Sequence, residues 1–333
     1  MPSTGSRRMR RAQLAAATGV AIGAAVVGAN AAMRRWEDAE DPCGPDGLDL
    51  PPGQEHRVTT DDGADLAVHA AGPVGAPAVV LVHCWTGHRG FWGAVARRLV
   101  TDGHRVLLYD QRGHGTSTMG SERPSVERLG TDLRQVLEAL DVSDATLVGH
   151  SMGGMAVQAL AIEHPEVVTE RARGIVLVAT ASRVVARPIP PVVANLLMGG
   201  GLARRPGSRA GLAFIRPVVG RSPRLAHVTA TRDAFEATSA EVRAGFLVAM
   251  SHMDLRDGLA DVDLPVTVLV GTQDRLTPPR LARRLAGSVP GAELVVLPGA
   301  GHMLPLEEPD RVTQAILDTH HAEPATRGTA AAG

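Results

Sequence analysis

The stretch "ATLVGHSMGG", residues 145–154, decides how the chain is read. The apolar run Ala145–Val148 leads into Gly149-His150-Ser151-Met152-Gly153, and an apolar helical pattern, "MGGMAVQALAIEH", follows at once. A serine among glycines is ordinarily a turn residue. Here the spacing is G-x-S-x-G between a predicted strand and a predicted helix, the context in which this motif carries a nucleophile. The sharp strand-to-helix reversal forces the serine backbone into a strained conformation. Small residues two before and two after it avoid clashes across the turn. The hydroxyl is then held above the sheet, near a helix N-terminus whose dipole favours developing negative charge. Ser151 is therefore the candidate nucleophile.

Outward from this turn, short apolar runs alternate with helical patterns. Residues 56–70 read as a hairpin turning at Asp61-Asp62-Gly63. Strands are expected at 78–83, 104–110, 174–180, 265–271 and 292–299, and helices at 91–103, 125–141, 279–289 and 309–321. Near-continuous apolar strands alternating with helices imply an α/β protein with a mostly parallel, doubly wound sheet covered on both faces. Residues 183–261 interrupt the alternation with helical patterns only. They read as a helical cap inserted between two late strands of a core formed by 55–182 and 262–322. Residues 41–54 are Pro/Gly/Asp-rich and read as a linker. The Ala/Gly/Thr-rich stretch 323–333 reads as a disordered tail.

Composition narrows the function. The 333 residues are 44% apolar, enough for a sizeable core, and the net charge of −1 gives no electrostatic reason to expect a nucleic-acid partner. All 34 basic residues are Arg. The two cysteines, Cys43 and Cys84, form no CxxC pair and imply no disulfide framework. Thirteen histidines include no HExxH and no His–Cys cluster in sequence, so neither a metal nor a cofactor is expected. Residues 1–40 read as a signal or membrane anchor. Leu14–Ala32 carries no charge, and as a helix it would be about 28 Å long, near the thickness of a bilayer's hydrocarbon. Four arginines precede it, against Arg34 and Arg35 after it. That bias favours a membrane-anchored protein with its catalytic domain outside the cytoplasm. The alternative is secretion after cleavage near Ala29-Asn30-Ala31, which resembles a small-residue cleavage site.

A serine hydroxyl needs a base to act at neutral pH. Three further segments supply candidates: "LYDQRGHGTS" at 108–117, "GTQDRLTPP" at 271–279 and "GAGHMLPLEEP" at 299–309. Together with the serine turn, in this order, they resemble the α/β-hydrolases over residues 55–322. The resemblance implies the chain order Ser151, Asp274, His302. In it His302 takes the Ser151 proton and returns it to the leaving group, while Asp274 fixes the His302 tautomer. Asp110, Asp254 and Asp257 are the weaker candidates for the acid. The resemblance also implies an oxyanion hole formed by the backbone N–H groups of Trp85 and Met152. Cys84 stands where relatives usually have Gly.

Aromatics make up only 2% of the chain, so their positions carry information. Cys84, Phe214, Phe246 and Met303 are the candidate pocket residues for an apolar, small-molecule acyl ester. The implied reaction is cleavage of a carboxylic ester through a Ser151 acyl-enzyme. A lactonase, a C–C hydrolase or a cofactor-free perhydrolase would use the same triad. The reading from a different class is a non-catalytic ligand-binding protein on this fold, against which the presence of all three triad residues argues.

Overall fold

The computed structural model describes residues 41–44, 46–184, 188–199, 218–221 and 224–322. β1 (Gly53–Thr59) and β2 (Asp65–Ala71) form the expected hairpin. Gly63 closes its turn at φ +86°, a backbone state that glycine adopts without steric cost. Then come β3 (Ala78–Val82), α1 (Gly93–Thr101), β4 (Arg105–Tyr109), α2 (Val126–Ala139) and β5 (Ala145–His150). α3 (Met152–Glu163), a short α4 (Pro165–Arg171) and β6 (Ala172–Val178) follow. The insertion after β6 contributes α5 (Pro191–Gly199), α6 (Leu225–Ala237) and α7 (Ala240–His252), the helical cap. The chain returns through β7 (Val266–Gly271), α8 (Pro279–Ser288), β8 (Glu293–Leu297), α9 (Leu304–Glu307) and α10 (Pro309–His321).

The eight strands form one sheet in the order β1-β2-β4-β3-β5-β6-β7-β8. β2 pairs antiparallel with β1 and β4, and every pairing from β4 to β8 is parallel. Parallel strands joined by helices are covered on both faces, which is why β3 and β5 are buried throughout. Val80, Val82 and Leu147 meet α2, α3 and α8 on one face. Val79, Leu81 and Val148 meet α1 and α10 on the other. The period-2 alternation of a strand sends neighbouring side chains into these two separate cores.

Two expectations about the N-terminal part change. Residues 41–44 and 46–50, expected within a linker, are laid against the core. Cys43 is buried, Arg97 of α1 donates to the Cys43 and Gly47 carbonyls, and Arg98 donates to that of Pro42. A segment without regular structure leaves its carbonyls unpaired, and the guanidinium forks satisfy them. The membrane-anchored, extracytoplasmic location expected from Leu14–Ala32 is also corrected. Among the described residues no helix is long and apolar enough to cross a membrane. α3 is apolar all round, yet it has only 12 residues and is buried in the core. Residues 1–40 and 323–333 lie outside the described residues.

The loop after β4 is closed by charge. Arg112 is fully buried, with Nε and Nη2 on Asp132 of α2 at 2.6 and 2.7 Å, and with Nη1 and Nη2 on Asp62 of the hairpin turn at 2.9 Å each. One guanidinium thus ties the antiparallel edge to the helical layer. Removing Asp132 would leave the guanidinium paired with Asp62 alone and its buried Nε–H without a partner, typically at a cost of about 1–3 kcal/mol. Asp132→Ala is expected to lose about that much stability, read as a lower midpoint in urea unfolding.

Candidate active site

β5 delivers Ser151 to the rim of the sheet. Its backbone sits at φ +53°, ψ −114°, which is strained for a residue with a Cβ. Such states typically cost about 1–3 kcal/mol and persist only where the surroundings over-determine them. Here Ser151 N–H donates to the Val178 carbonyl at 2.9 Å, and Thr180 Oγ1 donates to the Ser151 carbonyl at 2.7 Å. The flanking glycines are required by space. A Cβ on Gly149 would lie 2.4 Å from the Gly153 carbonyl oxygen, and one on Gly153 would lie 2.3 Å from that of Val82.

The loops after β7 and β8 bring Asp274 and His302 together. Asp274 Oδ2 lies 2.8 Å from His302 Nδ1, and both side chains are buried. A carboxylate only accepts, so Nδ1 carries the proton and Nε2 is left as the basic nitrogen. Asp274 Oδ1 accepts the N–H groups of Leu276 and Thr277 at 2.8 and 2.9 Å. Burial opposes the Asp274 charge, but the His302 ring and the Thr277 donors outweigh it and hold the carboxyl below the usual carboxylate range. The other acids are occupied elsewhere. Asp110 accepts the N–H group of Thr116 in its own loop and that of Arg89 in the segment after β3. Asp254 is an exposed partner of Arg256, and Asp257 is exposed.

Ser151 and His302 line one cavity of about 270 Å³ with Cys84, Trp85, Phe235 and Met303 among its walls. The structure records no hydrogen bond between the Ser151 hydroxyl and His302; such pairs are often loose without substrate and tighten around it. Larger hollows of about 430 and 650 Å³ lie elsewhere and contain none of these groups. Of the expected pocket residues, Cys84 and Met303 line the cavity. Phe246 does not: it is fully buried in the core, 5.5 Å from the His114 ring. Phe214 lies outside the described residues. Burial pushes the Cys84 thiol up to about 12, so it is a neutral wall.

Trp85 also lines the cavity, and the peptide before it is locked. The Cys84 carbonyl accepts His83 Nδ1–H at 2.8 Å and Gly87 N–H at 3.0 Å. A trans peptide sends its N–H opposite to its C=O, so the Trp85 N–H points away from the His83 ring. Met152 opens α3, where the first N–H groups have no partner within the helix.

Residues 79–315 match the model of the alpha/beta hydrolase family. The chain belongs to that family. This hydrolase is 25% identical over 280 residues to the bifunctional esterase/perhydrolase DCH of Acinetobacter calcoaceticus, covering 78% of this chain and 97% of that protein. It is 30% identical over 215 residues to 3-oxoadipate enol-lactonase 2 of Acinetobacter baylyi, covering 65% and 78%. Among solved structures it resembles a hydrolase from Pseudomonas aeruginosa PA01 at TM-score 0.69 and 29% identity, over 82% of this chain and 100% of that one.

Three features of the hydrolase escape the sequence reading. Thr277 braces Asp274, with its hydroxyl 2.8 Å from Oδ2. His150 Nε2–H donates to the His302 carbonyl at 2.8 Å; burial lowers its pKa to about 3, so it is a neutral hydrogen-bonder. Glu307 is the third. Its carboxylate accepts the N–H groups of Gly301 and Met303, each at 2.9 Å, and that of Gly220 at 2.7 Å. It therefore clamps the backbone on both sides of His302 and joins it to the cap segment that precedes α6. The only trace of this in sequence is an acid a few residues beyond the histidine, which reads equally well as a helix-start residue. Glu307→Gln is expected to lose about 1–3 kcal/mol of stability in urea unfolding. Amide exchange at Gly301 and Met303 should speed up as the clamp loosens.

Proposed function

We propose that this hydrolase cleaves a small, apolar carboxylic ester, with Ser151, His302 and Asp274 as nucleophile, base and orienting acid. The observation that carries the reading is the buried Asp274–His302 pair, 2.8 Å apart, on the wall of the apolar cavity that Ser151 also lines. Ser151 Oγ attacks the ester carbonyl carbon while His302 Nε2 takes its proton. The carbonyl π electrons move onto oxygen, and the N–H groups of Trp85 and Met152 stabilise that oxyanion. Collapse of the intermediate breaks the C–O bond to the alcohol, which leaves with the proton from His302. Water, deprotonated by His302, then repeats the attack on the Ser151 ester. It releases the acid and restores the serine. Asp274 stays ionised throughout and stabilises the imidazolium.

A cavity of about 270 Å³ is at the small end for ligand sites, which supports a short acyl group. Its walls carry no guanidinium among the described lining residues, which supports an uncharged substrate. Opening of a lactone, an internal ester, is the second reading. It needs the same groups, and the similarity to an enol-lactonase supports it.

A fluorophosphonate probe should label the native chain and fail on Ser151→Ala, because only an activated serine reacts. With p-nitrophenyl esters, Ser151→Ala, His302→Ala and Asp274→Asn should each reduce kcat by about 10⁴-fold or more, and pairs of these changes should not multiply. Activity should fall as the acyl chain lengthens. Near-full activity in Asp274→Asn would overturn the assignment of the acid.

A further inference from the structure

A second cluster of chemically capable side chains lies away from the cavity, at the seam between residues 41–44 and cap helix α6. His227 Nε2 is 2.8 Å from Asp41 Oδ1. One ligand atom each from Asp41, Cys43 and His227 lies within 4.8 Å of the other two. Cys43 and His227 are buried, while the Asp41 side chain is 30% exposed. The loop that carries two of the three is rigidly seated. Cys43 N–H donates to Asp41 Oδ1 at 2.8 Å, and Arg98 and Arg97 hold the Pro42 and Cys43 carbonyls, each at 2.8 Å.

We propose that Asp41, Cys43 and His227 bind a zinc ion that clasps the N-terminal segment to the cap. Thiolate, imidazole and carboxylate are zinc donors, whereas calcium and magnesium take oxygen ligands. The carboxylate and the thiolate balance the two charges of the ion. Donors roughly 2.0–2.3 Å from a tetrahedral zinc lie roughly 3.3–3.7 Å from one another, so the 2.8 Å His227–Asp41 pair opens slightly while the set stays inside its 4.8 Å span. Three protein ligands leave the fourth position to water, which has access from the exposed side of Asp41. The bonds balance simply. The Cys43 S–H, now 3.5 Å from the Leu306 carbonyl, releases its proton to solvent as the Zn–S bond forms. The Asp41–His227 hydrogen bond is exchanged for one bond from each to the metal, with the His227 proton on Nδ1.

The consequence reaches the cavity without touching the chemistry there. His227, Thr231 and Phe235 recur at four-residue spacing along α6 and share a face. Thr231 and Phe235 line the cavity. Fixing His227 therefore fixes one wall of the pocket. Asp41 and His227 are 186 residues apart in the chain, so no metal-ligand spacing is visible in sequence.

The test uses the full chain, stripped with a chelator and titrated with Co²⁺. A thiolate-to-cobalt charge-transfer band should grow to one equivalent. Cys43→Ser should abolish it, and Cys84→Ser, which removes the other thiol, should retain it. In competition with a chromophoric chelator, Asp41→Asn and His227→Gln should each weaken zinc binding by at least roughly the tenfold that loss of an outer-shell partner costs. Zinc should raise the Tm of the intact chain and leave that of His227→Gln unchanged. Absence of the band in the intact chain overturns the proposal without any variant, so a Cys43→Ser chain that fails to fold does not protect it. A band that survives in folded Cys43→Ser, or zinc affinity unchanged in both Asp41→Asn and His227→Gln, overturns it as well. None of these readings depends on ester hydrolysis.

Discussion

The backbone of Ser151 occupies a conformation that a non-glycine residue reaches only under constraint, and the site is built around that constraint. Gly149 and Gly153 give the turn room, the Val178 carbonyl and the Thr180 hydroxyl hold the serine's own N–H and C=O, and β5 lies between β3 and β6. The strain is small beside the burial of the strand and helix on either side of it. A turn held this way keeps the Ser151 backbone in one place whether or not a substrate is present, which is the preorganisation that the proposed acyl transfer requires.

The parallel sheet extends the same logic to the other groups. Ser151, Asp274 and His302 follow the C-terminal ends of β5, β7 and β8, and in parallel strands these ends share one rim. The loops at that rim are held by backbone pairing. Glu307 spans the N–H groups on both sides of His302, and the His302 N–H donates to the carbonyl of Val218, in the cap segment before α6, at 2.8 Å. The cap and the histidine loop are therefore one hydrogen-bonded unit. A change in cap packing moves His302 as well as the pocket wall.

Buried polar groups divide by task. Arg112 is matched to two carboxylates and joins distant parts of the fold. His83, His114 and His150 are buried, and their pKa values are lowered to about 3, 4 and 3, burial being the main cause in each. Each is neutral at physiological pH and acts through a single fixed N–H: His83 to the Cys84 carbonyl, His114 to that of Arg112 and His150 to that of His302. Asp274 differs, because its partner is the imidazole that must accept a second proton during the proposed reaction.

Much of this was legible in the sequence. Strand and helix periods and the Gly-flanked serine follow from local chemistry, since apolar alternation and turn geometry are properties of neighbouring residues. The α/β architecture and the serine candidate came from that layer, whereas Asp274 and His302 were singled out by the resemblance of their segments to those of the α/β-hydrolases. Other features depended on residues far apart meeting. Phe246 was expected in the pocket because aromatics are scarce, but only packing decides which way a helix turns its rings, and here the ring faces His114 in the core. Phe235, Thr277 and Glu307 gain their importance from their neighbours: the Trp85 ring 6.1 Å from that of Phe235, Asp274 Oδ2 2.8 Å from the Thr277 hydroxyl, and the Gly301 N–H 2.9 Å from the Glu307 carboxylate. Residues 41–54 read as a linker because Pro, Gly and Asp disfavour regular structure, yet the guanidiniums of α1 give the carbonyls of Pro42, Cys43 and Gly47 partners that composition cannot reveal. The meeting of Asp41, Cys43 and His227 is the clearest case. Local sequence specifies dihedral preferences and amphipathic faces, whereas a cluster drawn from two distant segments exists only once the core has folded and brought them together.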